Sequence, residues 1–512
     1  MAIGKCISLL GTGSDVGKSF IVAGIGRALK CRGYDVAPYK AQNMSNNSYV
    51  TLDGLEMGRA QVVQAEACGV EPSVHMNPVL LKPSGDARSQ VVLHGQVLAT
   101  QEARDYYRQT DQLFAKAMES LEVLRQAHEV VVMEGAGSCA EVNLSDRDIV
   151  NFRPAHAVDA PVILIADIDR GGVFAQVMGT LAIISPADRA RVQGIIINRF
   201  RGDIGLFEDG VRWIEEQSGL PVLGVLPFDR SIAIDSEDGM AAETVVDPPA
   251  VKEPGHVHIA CLLLPRISNH TDLAALQCTE GVRVHFLSRP RDLGLYDQVI
   301  LPGSKNVRAD LDWLHASGWT AKLKTYLDVG GRLGGLCGGY QMMGRTIRDP
   351  DGVEGTPGQS TGLGQLPIET ELTPNKRLTR VEGIWEANQQ PVYGYEIHMG
   401  ETRPVGNGDG YHPAITRIKQ QGSSTTDGLC SDDGRLWGTY LHGLFDSGAF
   451  RRAFLSDLAP QLAGLNRPTR DSRVALDEDF DAFKQRQYDL LGRHIEQHLD
   501  MDKVVAIAGL SR

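Results

Sequence analysis

The residues best suited to chemistry sit in two glycine-rich turns far apart in the chain, "LLGTGSDVGKSF" from Leu9 to Phe20 and "GGLCGGYQ" from Gly334 to Gln341. In the first, an apolar run gives way to glycines and then to Gly17-Lys18-Ser19 at the start of a helical stretch. A turn of this kind points backbone N–H groups at phosphate oxygens, and the helix start beneath it adds partial positive charge. Gly11, Thr12, Gly13 and Gly17 would form the cradle, Lys18 would reach the β- and γ-phosphates, and Ser19 would offer its hydroxyl to Mg²⁺. The chemistry expected here is that of ATP bound with Mg²⁺. The usual spacing G-x-x-x-x-G-K-[ST] would put its first glycine at position 12, which is Thr12; the first glycine is Gly11, so the loop is one residue longer.

In the second turn Cys337 occupies G-x-C-x-G, Gly335 to Gly339. A nucleophile on a tight strand-to-helix turn needs small neighbours, because larger side chains would clash in the strained backbone. The thiol needs a base. His442, in "LWGTYLHGLF", stands at another strand end about a hundred residues on, and His398 in "GYEIHMGE" is its rival. "ILPGSKN" supplies Gly303, whose N–H would join that of Gly338 in an oxyanion hole.

Other strand ends add to the first site. Glu134, closing "VVVME", is placed as a Mg²⁺ carboxylate, and Asp53 in "VTLDG" is a weaker second ligand. Lys40 in "PYKAQN" would stabilise charge on a transferring phosphoryl group, a solvated surface lysine being the competing reading. Lys82, Arg88, Arg170, Arg199 and Arg201 read singly as surface cations and together as contacts for a multiply charged carboxylate.

These residues require elements that present strand ends to one face. Short β-branched runs, each ending in glycine, acid or asparagine, alternate with helical stretches: "CISLLGTG", "EVVVMEGAG", "PVILIADIDRGG", "VQGIIINRF" and "PVLGVLPF". They predict a doubly wound parallel α/β sheet over 1–243. "ETVVDPPAVKEPGH" holds the expected linker, 244–254, and the rhythm restarts with "HVHIACLLLP", "VRVHFL" and "YDQVILPGS" to give a second α/β domain over 255–448. The remainder, 449–512, reads as an amphipathic helical tail. At 512 residues, with 42% hydrophobic and 22% charged, the chain is an ordinary multi-domain globular protein. A net charge of −13 argues against nucleic acid or an anionic membrane as the main partner. The eight cysteines include no C-x-x-C pair, which favours reduced thiols over zinc or disulfides. No run approaches the roughly 18 apolar residues of a membrane span, and no signal peptide is evident, so a soluble cytoplasmic protein is expected. A homo-oligomer is left open.

The long phosphate loop resembles that of dethiobiotin synthetase and its relatives, which activate carboxylates by phosphorylating them with ATP. In that group Asn198, ending "GIIIN", would read adenine, although a simple turn asparagine fits the spacing as well. The signature lysine of the related partitioning ATPases would fall at Gly13, which weakens an assembly-switch reading. The Cys337 turn resembles class I glutamine amidotransferases, whose thiolate releases ammonia from glutamine. Many of them carry a glutamate two residues after the histidine; here that residue is Leu444, so either a dyad or an acid from elsewhere, such as Glu396, must serve. Across nearly the whole chain "PYKAQNMSNNSYVTLDGLEMGRAQ", "MNPVLLKP", "ADIDRGGVFA", "NRFRGD", "LPGSKN" and "YEIHMG" resemble the cobyric acid synthase family of cobalamin-pathway amidotransferases. That resemblance implies ATP, L-glutamine and a corrinoid polycarboxylate as substrates. It also implies amidation of carboxylates b, d, e and g of adenosylcobyrinic acid a,c-diamide through acyl phosphates, with Cys337 as nucleophile and His442 as base. Cobalt would belong to the substrate and not to the protein. The related a,c-diamide synthase, and a nucleotide switch with a vestigial glutaminase, are the alternatives.

Overall fold

The computed structural model describes residues 3–83, 88–102, 106, 108–234, 251–406, 409–417, 425–460 and 473–510. Most of the expected linker, 244–250, lies outside them. Two compact units emerge. One comprises Met1–Ser45, Glu56–Glu237 and Lys484–Arg512, the other Asn46–Leu55 and Asp238–Phe483.

In the first unit six parallel strands, β1 (Lys5–Gly11), β2 (Val36–Tyr39), β3 (Val130–Glu134), β4 (Val162–Asp167), β5 (Val192–Phe200) and β6 (Val222–Pro227), lie in the order β6-β5-β4-β1-β3-β2. Their near-continuous apolar runs suit a sheet covered on both faces, and Ile7, Leu9, Val130, Val132, Ile163 and Ile196 have no exposed surface. The order changes direction at β1, so the carboxyl ends of β1, β3 and β4 open a crevice there, the place where α/β sheets bind ligands. Gly11, Glu134, Asp167 and Asn198 all stand at or near such ends. Helix α1 (Lys18–Cys31) follows β1 directly. A smaller four-stranded sheet, Gln42–Met44, Val79–Pro83, Arg88–Leu93 and Gln96–Glu102, belongs to the same unit.

The second unit is built on β7 (Val257–Leu262), β8 (Val282–Leu287), β9 (Gln298–Leu301), β10 (Leu333–Leu336), β11 (Tyr411–His412), β12 (Leu429–Ser431) and β13 (Leu436–Thr439), in the order β8-β7-β9-β10-β13-β12-β11. The first five in that order run parallel, and β12 and β11 extend the edge antiparallel. A long hairpin, Ile368–Trp385 with Gln390–Pro404, carries the "GYEIHMGE" motif. The doubly wound α/β class expected for both halves is the one found.

The units are not contiguous in sequence, unlike the expected division. Asn46–Leu55 belongs to the second unit, where Val50 is buried with Tyr395 and Ile397. The C-terminal stretch is also split. Helix α3 (Phe480–His498; α2 is Gly338–Met342) enters the first unit from Lys484 onward. Its Tyr488, Leu491 and Ile495 share one apolar core with Ile21 and Ile25 of α1. Gly24 allows that approach, since a Cβ there would lie 2.5 Å from Ile495 Cγ1.

Candidate functional site

The phosphate loop leaves β1 at Gly11 and enters α1 through Gly17, whose φ of +89° is a left-handed conformation. Lys18 is buried, and its Nζ donates to the carbonyls of Gly13 (3.1 Å) and Gly137 (2.9 Å), which curls it back over the loop. Ser19 Oγ donates to Glu134 Oε1 at 2.8 Å, and Lys40 Nζ pairs with the same oxygen at 2.9 Å. Gln64 Nε2 donates to the other carboxylate oxygen. The Glu134 side chain is wholly buried, so these donors offset its lost hydration. Ser19, Lys40 and Glu134 are thus brought together as the motifs suggested, and Lys40 is an interior lysine rather than a solvated one.

Thr12 N–H donates to the Ile165 carbonyl (2.9 Å), while the Thr12 carbonyl accepts from Ser138 Oγ (3.1 Å). Asn198 Nδ2 donates to the Val16 carbonyl at 2.8 Å, pinning the end of β5 to the loop. Of the candidate cations, Arg199 pairs with Asp167 (3.0 Å) and Arg201 with Asp169 (2.7 Å), both near the end of β4. Arg170 is exposed and 3.8 Å from Asp15. Lys82 is not a surface cation, because it is buried against Glu56 at 2.6 Å. Arg88 lies exposed at the start of its strand. Asp53, expected as a second ligand, falls outside the unit that holds Ser19 and Glu134. It belongs to the second unit, in a turn where its carboxylate accepts from the Thr51 hydroxyl at 2.5 Å.

Beside the Gly137 carbonyl that holds Lys18 is a cavity of about 690 Å³, lined among others by Gln42, Tyr106, Ser138, Arg147 and Arg153. Gln64 and this cavity were not visible in the sequence. The available signal for Gln64 was a pair of glutamines, Gln61 and Gln64, spaced to share the buried face of the helix Arg59–Cys68.

In the second unit Cys337 follows the end of β10 and adopts φ +50° and ψ −109° before α2 begins. Few non-glycine residues tolerate such a backbone, and the strain marks a residue held for a purpose. Its N–H donates to the Thr439 carbonyl (2.8 Å), which ties the turn to β13. His442, just beyond β13, has Nδ1 2.7 Å from Asp272 Oδ2, and the other Asp272 oxygen accepts from Gly443 N–H (3.1 Å). A carboxylate only accepts, so Nδ1 carries the hydrogen; Cys337 is near enough to favour a proton on the imidazole, while its Sγ lies 3.7 Å from the Ile397 carbonyl. Burial works against a charged imidazole here, but Asp272 and then Cys337 overcome it and push His442 up to about 10. Gly338 packs against the strand Gly303–Ser304 so closely that a Cβ would lie 2.8 Å from Ser304 N. The two amide regions expected for an oxyanion hole therefore meet, with Ser304 rather than Gly303 nearest to Gly338.

The carboxylate on the imidazole is Asp272, a residue the sequence did not single out. It sits in "SNHTDL", on the short helical turn His270–Leu273 that follows β7. Glu396, the acid considered for that place, is buried between Arg377 (2.8 Å) and Arg417, with His398 Nε2 at 3.7 Å. Burial pushes its carboxyl up, and His398, Arg417 and Arg377 together hold it below the usual carboxylate range. His398 is thereby engaged, with Nδ1 3.2 Å from the Gly400 carbonyl and its ring stacked on Tyr440 at 3.7 Å.

Two family models match the chain. Residues 7–242 match the CobQ/CobB/MinD/ParA nucleotide binding domain, and residues 258–450 match the CobB/CobQ-like glutamine amidotransferase domain. A protein of Chlorobium phaeobacteroides named cobyric acid synthase is 52% identical over 98% of this chain and 99% of its own. Proteins of the same name from Chlorobaculum tepidum (50% identical, 99% and 98% covered) and Paracoccus denitrificans (47%, 98% and 99%) are similar along their whole length as well.

Proposed function

The chain belongs to the cobyric acid synthase family, and from that premise we propose that it amidates carboxylates b, d, e and g of adenosylcobyrinic acid a,c-diamide. The class of reaction is that of a glutamine-hydrolysing, ATP-dependent amidating ligase. One observation carries the detailed reading: Ser19, Lys40 and Glu134 gather under the phosphate loop while the same chain holds the Cys337–His442–Asp272 array.

In the synthetase half, Lys18 and Lys40 offset the charge that spreads over the γ-phosphoryl group as a substrate carboxylate attacks it. The Ser19 hydroxyl and the Glu134 carboxylate are hard oxygen donors of the kind Mg²⁺ takes, and they would hold it against the triphosphate, where it neutralises phosphate charge. The cavity of about 690 Å³ beside Gly137 takes the acceptor carboxylate and its arm of the corrinoid, with Arg147 and Arg153 as cationic groups in its wall. In the glutaminase half, the imidazolium that Asp272 favours already carries the thiol proton on Nε2, and the sulfur attacks the side-chain amide of glutamine. Gly338 and the 303–304 strand donate to the oxyanion, His442 gives its proton to the departing ammonia, and water then hydrolyses the glutamyl thioester to release glutamate and restore the thiol. Asp272 fixes the tautomer that makes this exchange workable. Ammonia then displaces phosphate from the acyl phosphate to give the amide.

The test is to incubate purified protein with Mg·ATP, glutamine and candidate corrinoids and to follow product mass. The a,c-diamide should lose one mass unit at each of its remaining amidatable carboxylates. Conversion of only the a and c carboxylates, or none, would overturn the reading.

A further inference from the structure

The excursion Asn46–Leu55 leaves the nucleotide-binding half of the sequence, joins the glutaminase unit and returns. Its backbone ends at side chains next to the catalytic imidazole. The Ser48 carbonyl accepts from Tyr395 Oη (3.0 Å) and from Asn269 Nδ2 (3.1 Å). Asn269 Nδ2 also lies 3.1 Å from Tyr395 Oη, and Ser48 N–H donates to Asn269 Oδ1 at 3.3 Å. These contacts close a buried triangle around one backbone unit.

Each of the other two corners holds one partner of the acid–base pair. Tyr395 exchanges backbone hydrogen bonds with His442 (N–H to O 3.2 Å, and 2.8 Å in return), and its ring stacks on the imidazole at 5.3 Å and 21°. Asn269, at φ +50°, precedes the turn carrying Asp272, and its carbonyl accepts from Asp272 N–H at 3.0 Å. Tyr49 meets the edge of Tyr395 at 4.9 Å, with Arg380 over its other side at 5.2 Å. Upstream in the chain, Lys40 pairs with Glu134 and Gln42 lines the cavity beside the phosphate loop, only a few residues before Asn46.

We propose that Asn46–Leu55 is a positioning element of the glutaminase: through Ser48, Tyr395 and Asn269 it sets His442 against Asp272, so glutamine hydrolysis responds to occupancy of the strand end from which it extends. Tyr395, Asn269 and Tyr49 touch neither substrate nor sulfur in this scheme; they are positioning residues. The inference rests on the glutaminase reading above.

The test uses the full chain with Tyr395→Phe, Tyr395→Leu and Tyr49→Leu. Glutaminase kcat and KM are measured with and without Mg·ATP and corrinoid, and ammonia-dependent amidation is measured beside them. Wild-type kcat should rise when Mg·ATP and corrinoid are added. Tyr395→Leu and Tyr49→Leu should lower kcat by roughly 10- to 100-fold at nearly constant KM and lose that rise, as small misplacements of catalytic groups do. Tyr395→Phe, which keeps the stacked ring, should recover part of the loss, and ammonia-dependent amidation should be unchanged throughout. Wild-type kcat that is indifferent to Mg·ATP and corrinoid, variants with normal kcat, or variants that lose ammonia-dependent amidation in parallel would each overturn the proposal. A wild type that hydrolyses no glutamine at all would overturn the functional reading itself.

Discussion

At the scale of single residues the decisive geometry is the orientation of one imidazole. A histidine between a carboxylate and a thiol can hold a proton on the side facing sulfur only if the other nitrogen is committed, and Asp272 commits it at 2.7 Å. Asp272→Asn should therefore lower the rate of glutamine hydrolysis by roughly 10²- to 10⁴-fold, the cost of a wrong or wandering tautomer. Glu396→Gln should do far less to that rate, because Glu396 is engaged by the exposed Arg377 and the buried Arg417. Steady-state glutaminase assays of the two variants rank the acids, and the reverse order would sink the assignment. The same pair links stability to pH. The folded value of about 10 for His442 lies above the ordinary 6.5, so the fold favours the protonated form. Its stabilisation is complete below pH 6.5 and is lost as pH rises toward 10. The gap in urea midpoint between wild type and Asp272→Asn should shrink over that window; a constant gap would contradict the linkage. The places of Cys337 on a strand-to-helix turn and of His442 just beyond a strand end were readable in the sequence, because flanking glycines and strand ends announce them. Asp272 was not, because it arrives from another strand end 170 residues earlier with no local mark of its role.

At the scale of elements, strand-end chemistry was legible because parallel strands buried on both faces leave continuous apolar runs that stop where function begins. What covers those strands was harder to read. The amphipathic period of the C-terminal helix was plain, but its partner is α1, more than four hundred residues earlier, and no local pattern names so distant a surface. The consequence can be measured at Ile495, which is fully buried in the core shared with Ile21 and Ile25. Ile495→Ala should cost about 2–5 kcal/mol, the range for deleting a large aliphatic side chain from a packed interior. On a solvated tail the same change would cost almost nothing. Urea unfolding of the two proteins separates the cases. The excursion Asn46–Leu55 was hidden for a similar reason: its paired asparagines and its Asp53-Gly54 turn read as a loop, and its few apolar residues show no period that marks Val50 as buried.

At the scale of the whole molecule, the proposed function has one site supply ammonia to a reaction at the other, which predicts how damage to each should propagate. Lys18→Ala removes the cation over the phosphate loop and should abolish amidation from glutamine and from free ammonia alike, since no acyl phosphate forms without phosphoryl transfer. Cys337→Ala should behave differently. In the proposed reaction the thiol attacks only the amide of glutamine and has no part in the phosphoryl step, so its loss should end glutamine-dependent amidation and leave the ammonia-dependent reaction intact. Only neutral ammonia can attack an acyl phosphate, so that surviving rate should climb with pH toward the pKa of ammonium. Wild type fed with glutamine should lack this steep dependence, because breakdown of the amide at Cys337 releases the nitrogen as neutral ammonia. The measurement is the initial amidation rate of wild type and Cys337→Ala with each nitrogen source across pH, at matched ATP and corrinoid. A folded variant that binds ATP yet has lost both activities would mean that Cys337 takes part in the synthetase step, and separate sites would be the wrong description of the molecule.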